Sequence, residues 1–126
     1  TASEDWVNKK HPINIATPVF VGDYLYSQGA AKDFICASAK TGETKWSQSG
    51  FGSGRKDYAS TMIAGKNLLI LTEDGTLVLA AANPEKYTEL GRIQVCGNTW
   101  CFPAYADGKL YVRDSRQIAC IDLAGK

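Results

Sequence analysis

Apolar residues along this chain come in short runs separated by turn residues, which is the pattern of short β-strands. From Pro18 the runs are Val19-Phe20-Val21, a Gly22-Asp23 turn and Tyr24-Leu25-Tyr26. A small polar loop over 28–33 leads to Phe34-Ile35-Cys36-Ala37, and Thr41-Gly42 then turns the chain into a strand ending on Trp46. The same four-strand phrase restarts at Thr61, with strands over 61–64, 68–71, 77–80 and 90–95. Glu73-Asp74-Gly75 predicts a hairpin turn of the type I′ kind, because Asp-Gly suits two successive positive φ angles. Asn83-Pro84-Glu85 predicts one helical turn, with asparagine as cap and proline first inside it. A third copy runs through 104–106, Asp107-Gly108, 110–112, a loop over 113–116 and a strand over 118–123. Residues 1–16 carry no clear period, and the expectation there is a loop entering a strand over 13–16.

The copies can be aligned by position. Pro18, Thr61 and Pro103 head them at spacings of 43 and 42, and Cys36, Leu79 and Cys120 share a third-strand position at spacings of 43 and 41. A repeat of about 40 residues made of four short strands is the signature of a β-propeller blade. The tryptophan–aspartate type of this repeat is excluded, since no Trp-Asp pair occurs. The expected fold is therefore all-β, built from four-stranded antiparallel blades of which about three are present. The expected units are an inter-blade loop and lead-in strand over 1–17, blades over 18–57 and 58–102, and a partial blade over 103–126. Propeller rings close with roughly four to eight blades, and three blades alone leave two apolar faces uncovered. The chain is expected to belong to a seven- or eight-bladed ring, completed by further blades of a longer chain or by other copies. Its start on Thr1, without an initiator methionine, fits a processed chain or a piece of a longer one.

Composition narrows the partners. Fourteen basic and thirteen acidic residues among 126 leave a formal charge of +1, with no electrostatic footprint for nucleic acid. No apolar run reaches the roughly 20 residues of a membrane-spanning helix. The four cysteines lack the C-x-x-C spacing of zinc or haem sites. Cys36 and Cys120 fall in apolar runs and read as small buried hydrophobes. Cys96 and Cys101 flank Gly-Asn-Thr-Trp and are either free thiols or a disulfide across a tight loop. The glycine-rich stretch 50–56 lacks the Gly-Lys-Ser/Thr of a phosphate loop and reads as an inter-blade connection. His11 is the single histidine, so multi-histidine metal sites are excluded and any Ser-His-Asp set must use it. Its place beside Pro12 reads as a solvated loop. Asp74 and Asp122 read as turn and motif aspartates.

The phrase Cys36-Ala-Ser38-Ala-Lys-Thr41-Gly42-Glu43-Thr-Lys-Trp46 resembles the blade motif Ala-x-Asp-x-x-Thr-Gly-Lys-x-x-Trp of the pyrroloquinoline-quinone-like repeat propellers. Thr41, Gly42 and Trp46 match; Cys36, Ser38 and Glu43 depart from it. The third copy keeps the aspartate as Asp122, while the middle copy has Ala81 there and Leu90 near the tryptophan position. The resemblance runs from about Pro18 to the end. It implies that Trp46 packs between blades, near the turn of the next repeat's motif. The family holds quinoprotein alcohol dehydrogenases, a lipoprotein scaffold of outer-membrane protein assembly and many secreted bacterial proteins; the phrase from Phe51 to Pro103 is most similar to the last group.

The resemblance also places the family's ligand pocket on the face shared by the loops from strand four to the next strand one and from strand two to strand three. Trp6, Arg55, Trp100 and Arg113 are the candidate ligand-binding residues on that face, which is expected to hold 6–11, 28–33, 47–57, 73–76, 96–101 and 113–116. With no assembled catalytic set in view, the leading reading is a non-catalytic scaffold that binds a protein or small ligand there. The rival is a segment of a quinoprotein dehydrogenase, with pyrroloquinoline quinone, a calcium ion and an aspartate base. Only that rival calls for a cofactor. Periplasmic or extracellular placement is implied by the resemblance alone.

Overall fold

The structure is a computed structural model that describes residues 1–52 and 58–124. Strands β1 (Val19–Val21), β2 (Tyr24–Gln28), β3 (Asp33–Ser38) and β4 (Thr44–Ser49) form one antiparallel sheet in sequence order. Strands β5 (Ala59–Ala64), β6 (Asn67–Thr72), β7 (Thr76–Ala81) and β8 (Glu89–Gln94) repeat it. Strands β9 (Ala104–Ala106), β10 (Lys109–Arg113) and β11 (Ile118–Asp122) make a third sheet of three strands. These are propeller blades, the third without a fourth strand among the described residues. Among those residues no helix is long and apolar enough to cross a membrane.

The blades share one register. Tyr26, Cys36 and Trp46 lie opposite one another across blade 1, Leu69, Leu79 and Gly91 across blade 2, and Tyr111 and Cys120 across blade 3. A bulge interrupts the outer pairing at the same place in both complete blades, between Cys36 and Ala37 and between Leu79 and Ala80. Such a bulge bends the strand and sharpens its twist. The counterpart of Trp46 is therefore Gly91, not Leu90. The turn before β8 is two residues longer than the one before β4, which offsets a count made along the sequence.

Why each blade is so apolar follows from its two faces. Successive side chains on a strand point to opposite sides, so the run Leu68-Leu69-Ile70-Leu71 on β6 serves two interfaces. Leu68 and Ile70 join Val78, Ala80 and Ala59 against Tyr26, Phe34, Cys36 and Phe51 of blade 1, and all nine are at most 2% exposed. Leu69 and Leu71 join Leu77 and Cys96 against Leu110 and Val112 of blade 3. Each fully buried leucine contributes about 1.5–3 kcal/mol. The far face of blade 3 is different. Ile118 is 78% exposed and Tyr111 43%, at the positions where Phe34 and Tyr26 are 0% and 1% exposed.

Three local expectations are corrected. Residues 13–16 form no strand, because nothing pairs with them. No helical turn forms at Asn83, whose Oδ1 instead accepts the Glu85 amide at 2.9 Å and closes a non-helical turn. The 73–75 hairpin is not type I′: only Gly75 has a positive φ, +83°, and its amide donates to Thr72 O at 2.9 Å. That is a three-residue loop with its left-handed position filled by glycine.

Candidate functional site: the loop face and the inter-blade tryptophan positions

Two indoles join neighbouring repeats in the same way. Trp46 leaves β4 and enters the gap beside blade 2, where its ring lies 6.1 Å from Tyr26, 6.2 Å from Phe34 and 5.8 Å from Tyr87. Its Nε1–H donates to Asn83 O at 2.8 Å, in the turn that follows β7. Trp6 donates to Ala39 O at 2.9 Å, in the turn that follows β3. Its ring lies so close over Gly42 (φ +74°) that a Cβ there would overlap it. Trp6 and Trp46 are 40 residues apart, one repeat.

This placement moves Trp6 away from the loop face where sequence reasoning put it. The signal for its true position was that one-repeat interval, which sequence reasoning left unused. His11 is likewise not a solvated loop residue: Nδ1 shares a 2.9 Å hydrogen bond with Thr44 Oγ1, which also receives Asn8 Nδ2 at 2.9 Å. Two further motif residues make local hydrogen bonds. Thr41 Oγ1 accepts the Glu43 amide at 3.3 Å, and Asp122 Oδ1 accepts the Ala124 amide at 2.9 Å.

The loop face is tied together through backbone groups. Lys32 O accepts the amides of Gly50 and Phe51 at 3.1 and 2.9 Å, and Glu73 O accepts the Thr99 amide at 2.9 Å. Pro12 O accepts the Ala30 amide at 2.9 Å, bringing the lead-in segment to the rim. Asp114 links blade 2 to blade 3. Its Oδ2 accepts the Gly97 amide at 2.8 Å and its Oδ1 accepts the amides of Arg116 and Gln117 at 2.8 and 3.0 Å. A cleft of about 520 Å³ opens here between Gly97-Asn98 and residues 114–117. Trp100, 46% exposed, and Phe102, 57% exposed, stand on the same inter-blade loop. Arg113 ends β10 at the root of the cleft's far wall and is exposed. Arg55 lies outside the described residues.

The Gly97 amide, followed by that of Arg116, holds the Asp114 carboxyl below its usual range. The folded chain therefore binds this proton less readily than the unfolded chain. The loop's contribution to order is complete above about pH 4 and is lost as pH falls through the lower folded value. Asp114→Ala is expected to speed hydrogen exchange of the Gly97 amide roughly tenfold at pH 5, leaving β6 amides unchanged. Equal protection in the variant would show that the carboxylate does not hold the loop.

All four cysteines are free thiols; Cys36 is buried as its apolar run predicts, but Cys120 is exposed, on the uncovered face of blade 3. Cys96 turns into the core beside Leu69 and Leu110, while the Cys101 amide donates to Thr99 Oγ1 at 3.1 Å, so the bridge considered for this pair is not formed. Burial pushes the Cys36 and Cys96 thiols up, away from the reactive thiolate. Among the described residues no three His, Cys, Asp or Glu side chains gather as a metal-holding group. Asp33 Oδ2 accepts from Ser47 at 2.7 Å and Asp74 Oδ1 from the Thr76 amide at 3.1 Å, while Asp33 Oδ1 and Glu73 Oε2 are buried without a partner among the described residues.

No protein-family model and no curated protein matches the chain by sequence. Solved structures match it by fold. BamB from Moraxella catarrhalis superposes with a TM-score of 0.75 at 16% identity, over 95% of this chain and 40% of that one. The computationally designed Ika4 protein gives 0.63 at 11% identity, over 98% of this chain and 74% of that one. The chain thus spans about 40% of the length of BamB. At these identities the likeness is one of fold.

Proposed function

We infer that this chain is a segment of a propeller scaffold that binds a protein partner or small ligand on its loop face, with no catalytic role. The observation that carries this reading is the face around the Gly97–Asp114 link, where a polar cleft is walled by the same inter-blade loop that carries the exposed Trp100 and Phe102. Aromatic anchors beside fixed polar groups are the composition of recognition surfaces. The exposed face of blade 3 at Tyr111 and Ile118 supports completion of the ring by further blades, in the same chain or in other copies, with seven or eight in all. The motif resemblance supports membership of the pyrroloquinoline-quinone-like repeat propellers, and with it a bacterial origin and a place in the periplasm or outside the cell.

A photo-activated phenylalanine analogue introduced at Asn98 or Ser115, and at Lys86 in the turn on the opposite face, tests the reading. Adducts with a discrete partner are expected from the first two positions and none from Lys86. Adducts from Lys86 alone, or from no position, would overturn it.

A further inference from the structure

The third inter-blade position breaks the pattern of the first two. Trp6 fills the gap before blade 1 and Trp46 the gap between blades 1 and 2, each donating its indole N–H to a carbonyl in the turn after a third strand. Between blades 2 and 3 the corresponding residue is Gly91, and a Cβ built there meets nothing within 4 Å. Its neighbours are smaller too. By register and core position, Tyr26 is replaced by Leu69, Phe34 by Leu77 and Phe51 by Cys96. What this leaves is a cavity of about 400 Å³, open to solvent and walled mainly by Leu69, Leu77, Leu79, Ile93, Tyr105 and Leu123, of which Ile93 is 61% exposed. Leu123 begins the turn after β11, the element whose counterparts supply the carbonyls at Ala39 and Asn83. Asn67 and Arg92 also line it, and the Arg92 guanidinium is held by both Glu89 oxygens at 2.6 and 2.8 Å.

We propose that this cavity is a binding site for a small planar aromatic molecule carrying a ring N–H, of the indole class, seated where the repeat places its own tryptophan. Size and lining agree with that occupant. Ligand sites run from about 300 to 1,000 Å³ and are mostly apolar. The occupant would stack against leucine side chains of blade 2, with Tyr105 at the edge. This site is separate from the loop face and stands or falls without it.

Indole itself is the probe. Titration into the chain, followed by calorimetry and by methyl NMR, is expected to shift the signals of Leu69, Leu77 and Leu79 and leave those of Leu25 and Leu68 in place. At ten times its Kd, indole is expected to raise the thermal midpoint by roughly 3–6 °C. 1-Methylindole, which lacks the N–H, is expected to bind more weakly, by about fivefold or more. Gly91→Trp supplies the side chain from within: a raised midpoint and at least a tenfold loss of indole binding are expected. If Gly91→Trp fails to fold, Gly91→Leu offers a smaller plug with the same expected direction. Absence of shifts at the three leucines, or undiminished binding in a folded plugged variant, would overturn the proposal.

Discussion

Trp46→Ala is expected to lower the unfolding free energy by about 3–4 kcal/mol. Truncating a core Trp or Phe costs about 3–5 kcal/mol through lost transfer energy and the cavity left behind. The lower part of that range applies because the indole is only half-buried. Yet it touches both sides of the interface: Tyr26 and Phe34 belong to blade 1, Tyr87 and the carbonyl of Asn83 to blade 2. Typical domains are stable by only about 5–15 kcal/mol, so a loss of this size moves a denaturation midpoint far. Urea unfolding of Trp46→Ala beside Trp46→Phe measures it. The phenylalanine variant retains most ring contacts and loses the N–H bond, for an expected cost of about 1–2 kcal/mol. A cost below about 1 kcal/mol for the alanine variant would mean that the indole does not join the blades.

Gly75→Ala comes second, at roughly 2–4 kcal/mol. Part of this is conformational: an L-residue in the left-handed region costs about 1–2 kcal/mol, and Gly75 sits at φ +83°. The remainder is contact. A Cβ there would run into the backbone carbonyls of Cys96 and Gly97, which cannot rotate aside as a flexible side chain can. Gly75 O also accepts the Val95 amide at 2.9 Å, so pushing the two segments apart disturbs the loop that carries Trp100. Gly65→Ala is the control, with φ +62° and open space around its Cβ. Denaturant midpoints should show Gly75→Ala losing at least twice as much as Gly65→Ala. Equal losses would assign the whole effect to backbone conformation and none to the contact with Cys96.

Much of the fold was legible because the repeat is written in turn residues and alternating apolar runs. The 43- and 42-residue spacing of the blade starts already gave three blades. What escaped lay wherever a tertiary partner, not a local pattern, decides the outcome. The lead-in strand over 13–16 was suggested by apolar residues but has no neighbouring strand to pair with. Asn83-Pro84 has the chemistry of a helix start, yet the chain must reach β8 within a few residues, and the asparagine closes a tighter turn. In the middle repeat, counting along the motif led to Leu90, whereas the bulge and the longer turn put Gly91 opposite Leu79. The site was less legible than the fold. Trp6 looked like a pocket residue because residues 1–16 carry no strand pattern around it, and only its hydrogen bond to Ala39 shows what it does.

Every paired strand in the described chain is the neighbour of its partner in sequence. The ties between blades reach only one repeat, as from Trp46 to Asn83. Loop closure on this scale is entropically cheap, and a chain so connected behaves as a row of coupled units whose unfolding need not be all-or-none. The two couplings are unequal, since one interface is filled by six aromatic residues and the other contains an open cavity. Blade 3 is therefore the unit that opens first, and blades 1 and 2 together form the part that persists as denaturant rises.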